Sequence, residues 1–190
     1  MGSEATERLS IETKFETLIS KSKSYIKTRD ESELASLKDD TENLKHRVNL
    51  ALDNIKNGND ANYLTSLKLT LSIIQKFTRS VELMENMKSK KPLCEQFDTK
   101  QMLDILLPHI KSLVEYDNWP KNLDTKKLER DYAFIEALED QHKRVLLSYL
   151  IQDWHNMDEV LNLLKIGEIY KNIAEKLVSL SLLSSYWEKH

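Results

Sequence analysis

From Thr125 to His190 the chain contains no proline and a single glycine, Gly167. Over all 190 residues glycine and proline number only three each. Sheets need frequent turns, and turns draw on these two residues, so a chain this poor in both is predicted to be helical. If 125–188 forms one helix, its length is about 90 Å at 1.5 Å per residue. The alternative is a helix pair. The predicted fold class is all-α, an elongated antiparallel helical bundle with coiled-coil-like long helices.

Apolar residues recur at steps of three and four, the signature of helices that each bury one stripe. The first stripe runs Ile11, Phe15, Leu18, Ser22 and Tyr25, with Ile19 and Ile26 beside it. The second is Leu34, Leu37, Thr41, Leu44, Val48, Ala51 and Ile55, begun by a capping box of Asp30 and Glu33. Asn57-Gly58-Asn59-Asp60 is a turn, after which Leu64, Leu67, Leu71, Ile74, Thr78 and Val81 form a third stripe. A loop from Lys88 to Asp98 contains Pro92. Asp98 and Gln101 cap a fourth helix with Met102, Ile105, Leu106, Ile110 and Leu113. Pro108 lies inside it and predicts a kink or break, since proline removes a backbone donor and crowds the preceding turn. Asn118-Trp119-Pro120 ends that segment.

Beyond it, Leu128, Tyr132, Ile135, Leu138, His142, Val145 and Tyr149 align, and Asn156 with Glu159 reads as a cap or a stutter. The closing stripe is Leu163, Ile166, Tyr170, Ile173, Leu177, Leu180, Ser184 and Trp187. The chain is thus read as one elongated body over 1–190. It comprises N-terminal helices over 1–90 with a hairpin turn near 57–60, a kinked helix over 98–118, and the long helix or pair over 125–188.

Trp187 stays in register with a stripe that begins more than twenty residues earlier, so the tail is expected to be packed. Leu163, Ile166, Tyr170, Ile173, Leu177, Leu180 and Trp187 form the candidate partner interface. The packing partner of this seam is either another chain or an earlier helix of the same one. Apolar faces on this scale exceed what one extended chain covers by itself, which predicts association with other coiled-coil subunits or self-association.

The formal charge of −3 provides no global field for nucleic acid or an anionic membrane. Lys88, Lys90 and Lys91, and separately Lys126, Lys127 and Arg130, are short basic clusters among acids and read as solvated surface. One cysteine, Cys94, leaves no internal disulfide and suggests a reducing, cytoplasmic setting. No apolar run is long enough to span a bilayer, and no basic stretch precedes an apolar one at the start. Met1 to Thr6 fits the loose myristoylation pattern at Gly2, without a second, basic membrane signal.

No catalytic, cofactor or metal constellation emerges. Glu139-Asp140-Gln141-His142 matches the Glu-x-x-His element of bundle di-iron sites, but no second copy exists and His142 lies on an apolar stripe. His46, His109, His155 and His190 have no zinc-ligand spacing. Neither a Gly-x-Gly-x-x-Gly stretch nor a phosphate loop is present. Trp119 and Trp154 read as core or helix-end anchors, and Met84 and Met87 as gap-fillers on a helix face. The chain is therefore not expected to be an enzyme.

The closing residues resemble one known family. Leu180-Ser181, then Leu182 to Tyr186, then Trp187-Glu188 is similar to the ending of the dynactin subunit 3 family, small helical subunits of the dynactin shoulder. Upstream, Glu168-Ile169-Tyr170-Lys171-Asn172 resembles the Glu-Glu-Tyr-Asn that precedes that ending, with a spacing different by a few residues. The resemblance covers the last quarter of the chain. It implies a non-catalytic, cytoskeleton-associated subunit pairing with dynamitin-like and large projecting-arm subunits in the activator complex of the microtubule motor dynein. Two other readings stand beside it: a kinetochore or tethering-complex subunit, and a compact bundle binding a small ligand, lipid or RNA.

Overall fold

The computed structural model describes residues 2–54, 61–87, 99–114 and 124–187, and within them the side chains of all but 2–12, 26, 54, 61–63, 66, 111–114 and 183–187. These residues form an all-α bundle. Its helices are α1 (Gly2–Thr28), α2 (Glu31–Asn54), α3 (Ala61–Glu85), α4 (Thr99–Val114), α5 (Thr125–Gln152) and α6 (Met157–Trp187). A single 3₁₀ turn, Trp154–Asn156, joins the last two. The turn at 57–60, the loop from Lys88 with Pro92 and Cys94, the cap residue Asp98 and the stretch Asn118-Trp119-Pro120 lie outside the described residues.

Where their side chains are described, the stripes read from the sequence are the buried or half-buried faces; Ile11, Ile26, Ile55, Leu113, Ser184 and Trp187 lie outside that set. Phe15, Leu18, Leu37, Leu44, Ile74, Leu106, Ile110, Ile166 and Ile173 are all fully buried. Aromatic contacts run across the bundle from Phe15 to Phe77, with centroids 6.3 Å apart, and from Phe77 to Tyr170 at 5.9 Å. Such tilted pairs add to the area they bury.

Helices α1, α2 and α3 alternate in direction. Near the end of α1 the Ser24 hydroxyl donates to Glu33 at the start of α2, and Lys38 near the start of α2 meets Glu85 at the end of α3 at 2.5 Å. α6 runs antiparallel to α3, with Lys176 reaching Ser72 at 2.6 Å. α4 packs on α1, α3, α5 and α6, pairing its Asp104 with Lys23 and its His109 with Asp131 of α5 at 2.6 Å.

Of the two alternatives for 125–188, one helix or a helix pair, the chain forms the pair, as a hairpin. α5 ends at Asp153, whose extended backbone (φ −145, ψ 92) breaks the run with neither glycine nor proline. Asp153 rather than Asn156 caps the turn, accepting from the His155 N–H at 3.1 Å and from the Asn156 amide at 2.8 Å. The longest described helix, α6, has 31 residues and spans about 46 Å, half of what one helix over 125–188 would span.

At Pro108 no break occurs: α4 continues unbroken from Thr99 to Val114. Leu103, Leu106 and Ile110 are fully buried on either side, so tertiary packing holds the helix across the missing hydrogen bond.

The capping box is only half made. Asp30 accepts from the Ser32 N–H at 2.8 Å, but Glu33 turns away to accept the hydroxyls of Ser24 and Thr28. The end of α1 is near enough to compete for its carboxylate.

Candidate functional site

The candidate interface stripe on α6 faces inward. Leu163, Ile166, Tyr170, Ile173, Leu177 and Leu180 are buried among the chain's own helices. The partner that covers this stripe is therefore the same chain, chiefly through α5, α3 and α4. Trp187 is the last residue of α6, and its side chain lies outside the described set.

Glu139 and His142 are both buried on α5, facing α6 at Gly167. Lys143 reaches Glu139 Oε1 at 2.6 Å, and Lys171 stands 3.6 Å from Oε2. The hydrogen bond to Glu139 holds the Lys143 ammonium above its usual pKa. Two ammonium groups thus occupy the positions from which a metal cation would need to draw the carboxylate. Among the described residues, no group of three or more His, Cys, Asp and Glu side chains converges as metal ligands. The pair is a charged lock between α5 and α6.

Gly167 does not owe its identity to a close approach of these helices. A methyl group there would lie 3.8 Å from Glu139 Cγ and 3.9 Å from His142 Nδ1, ordinary contact distances. Mid-helix glycine costs about 0.5–1 kcal/mol relative to alanine. Gly167→Ala should therefore stabilise the protein and raise its melting temperature by about 1–3 °C. Calorimetry showing a lower melting temperature would mean that α5 and α6 pack more tightly at this point than the geometry indicates.

At the end of the bundle where α1 and α3 finish and α6 begins, Arg29 adopts a left-handed backbone conformation, φ 56. Its N–H closes the C-terminus of α1 by donating to the Tyr25 carbonyl at 2.8 Å. The side chain turns inward to Glu159 of α6 at 3.1 Å, with relative exposures of 3% and 6% for the two side chains. Guanidinium Nη1 also meets Met87 Sδ, and the group lies 5.9 Å from the Tyr25 ring centre. Tyr25 in turn donates to the Met84 carbonyl at 3.1 Å, and burial pushes its phenol above the usual range despite the nearby cation. Left-handed backbone costs an L-residue about 1–2 kcal/mol. Glycine would relieve that cost but would leave Glu159 buried without its cation. Sequence reasoning treated Glu159 as part of a cap and passed over Arg29. A positive φ and a partner 130 residues away leave no local signal.

This pinned end carries the most exposed apolar group among the described residues. Ile151 is 86% exposed and Trp154 67%, with Leu147, Met157 and Leu161 also exposed. Trp154 packs its ring on His155, centroids 4.2 Å apart, and not on the core. Leu147 and Ile151 sit one turn apart on α5, as do Met157 and Leu161 on α6. They fall outside the buried stripes, so reading the stripes alone passes over them. Exposed large apolar side chains are unremarkable singly, but a cluster of them marks an interaction surface.

Beside this surface lies an open groove of about 420 Å³, lined by Glu85, Asn86, Asp158, Leu161, Asn162 and Lys165. No helix of the described residues is long and apolar enough to cross a membrane. No protein-family model matches the chain, and no curated protein matches it significantly.

Proposed function

We propose that this chain is a non-catalytic structural subunit of a multi-subunit helical assembly, of the dynactin-shoulder kind that supports dynein-driven microtubule transport. The observation that supports the assembly reading is the group Leu147, Ile151, Trp154, Met157 and Leu161, left uncovered at the α5–α6 turn, whereas the other exposed large apolar side chains, Leu50, Phe134 and Leu182, stand apart in the chain. A protein whose core is already complete gains nothing in folding from five exposed apolar side chains at one tip. They lower the free energy only when something else covers them. The dynactin-like form of the reading rests on the closing Leu180-Ser181 to Trp187-Glu188 pattern. Cytoplasmic, cytoskeleton-associated placement follows from that form.

Fractionation of native extract from the source cells tests the proposal. The chain should migrate far above its own 22.3 kDa, together with long coiled-coil subunits. Its removal should impair dynein-driven transport. Migration as a lone 22.3 kDa species would overturn the assembly reading, while a large complex without dynein-linked subunits would overturn only the dynactin-like form.

A further inference from the structure

We propose that Met87 is a modification site for peroxides: its sulfur is oxidised to the sulfoxide, and the guanidinium of Arg29 holds the new oxygen. Met87 follows the end of α3, and its N–H donates to the Met84 carbonyl at 3.1 Å. Its side chain is 7% exposed and turns its sulfur to Nη1 of Arg29. A thioether is a weak acceptor, so a charged donor buried against it has a poor partner. A sulfoxide oxygen in the same place is polar and a far better one.

The two ends of the guanidinium serve different groups, which allows the exchange. Nη2 meets Glu159 of α6 at 3.1 Å, while Nη1 meets the sulfur. An oxygen received at Nη1 therefore leaves the ion pair to α6 in place and ties the end of α3 more firmly to Arg29. The other buried methionines differ. Met84 and Met102 are fully buried in the apolar core, where a sulfoxide would lose its hydrogen bonds to water without replacement. Met157 is 48% exposed, so its sulfoxide stays in water and leaves the packing untouched.

The reaction is a two-electron transfer. A sulfur lone pair attacks one oxygen of hydrogen peroxide, and the S–O bond forms as the O–O bond breaks. The proton on the transferred oxygen passes to the departing hydroxide, giving water. Sulfur is oxidised and the peroxide reduced. The guanidinium occupies one side of the sulfur, so the attack uses the other lone pair. Rotation about the flexible Cγ–Sδ bond then turns the new oxygen onto Nη1.

Peroxide treatment of the full chain carrying Met157→Leu tests this, with each sulfoxide located by peptide mass spectrometry. Met87 should be oxidised at least about tenfold faster than Met84 and Met102, which react only when the bundle opens. The chain oxidised at Met87 should melt within about 2 °C of the reduced one. With Arg29→Met and Glu159→Leu added, which removes the guanidinium, the same oxidation should lower the melting temperature by about 5 °C. Glutamine places an amide oxygen near the position of the sulfoxide oxygen and needs no oxidant. Met87→Gln should melt within about 3 °C of the wild type, and Met84→Gln at least about 5 °C below it.

Equal oxidation rates at Met84, Met87 and Met102 would overturn the proposal. So would an equal fall in melting temperature with and without Arg29, or a Met87→Gln variant as costly as Met84→Gln.

Discussion

Replacing Tyr170 by alanine should cost about 3–5 kcal/mol and lower the melting temperature of the isolated chain by roughly 10 °C. Tyr170 is fully buried, is the largest such side chain on α6, and packs on Phe77. If the α6 stripe faced a partner, monomer melting would survive this change and complex formation would be lost first. The described packing requires the reverse order. Tyr170→Phe separates the ring from its hydroxyl. That hydroxyl is buried beside Ser80, whose own hydroxyl is committed to the Phe77 carbonyl at 2.8 Å, and it makes no hydrogen bond. Removing it should stabilise the protein by about 1 kcal/mol.

A pH signature accompanies the change. Burial raises the Tyr170 phenol well above its ordinary range. A group with a raised folded-state pKa leaves stability intact below the unfolded value of about 10 and removes it as the pH rises further. Tyr170→Phe should flatten that alkaline loss by about 1.4 kcal/mol per pH unit. Tyr25 and Tyr132, raised for the same reason, keep part of it. Urea melts at pH 8 and pH 11 check both effects, and an unchanged alkaline slope would show that the phenol reaches water.

The amphipathic helices were legible because burial of a helix face follows the local spacing of apolar residues. Leu37, Leu44, Val48 and Ala51 are buried as their steps of three and four require. Periodicity does not say what covers a stripe. Leu163 to Leu180 reads equally well as a partner seam and as core. The choice is made at Asp153, an aspartate in extended conformation with no glycine or proline to announce it. Once α5 folds back there, the same chain supplies the cover. Pro108 shows the opposite case: of the kink or break it signals, the break does not occur, with Leu106 and Ile110 buried around it. The tip escapes notice for a related reason. Ile151 and Trp154 lie off the stripes and beside the break, so their exposure becomes visible only after the hairpin is known.

Glu159→Ala should destabilise the protein by about 3–5 kcal/mol, although it deletes only one carboxylate from a bundle rich in ion pairs. Lys45–Glu42 and Arg79–Glu82 are solvent-exposed neighbours on their own helices, where such pairs are worth well under about 1 kcal/mol. Arg29–Glu159 differs because both side chains are closed off from water. Without Glu159 the guanidinium remains buried, with the Met87 thioether and the Tyr25 ring beside it among the described residues.

The pair is not an optimal solution even when intact. Arg29 Nε is buried without a hydrogen bond, and Arg29 carries the left-handed strain as well. The double change Arg29→Met and Glu159→Leu should therefore recover most of the loss, because it removes both charges and fills the same space. Denaturant titrations of the wild type, the two single variants and the double variant give the coupling energy directly. A coupling below about 1 kcal/mol would place the pair among the exposed ones. If the singles are costly and the double is restored, the ion pair selects a conformation more than it adds net stability. The conformation selected would be the one in which the ends of α1 and α3 are fixed against the start of α6, holding Trp154 and Met157 in their exposed positions.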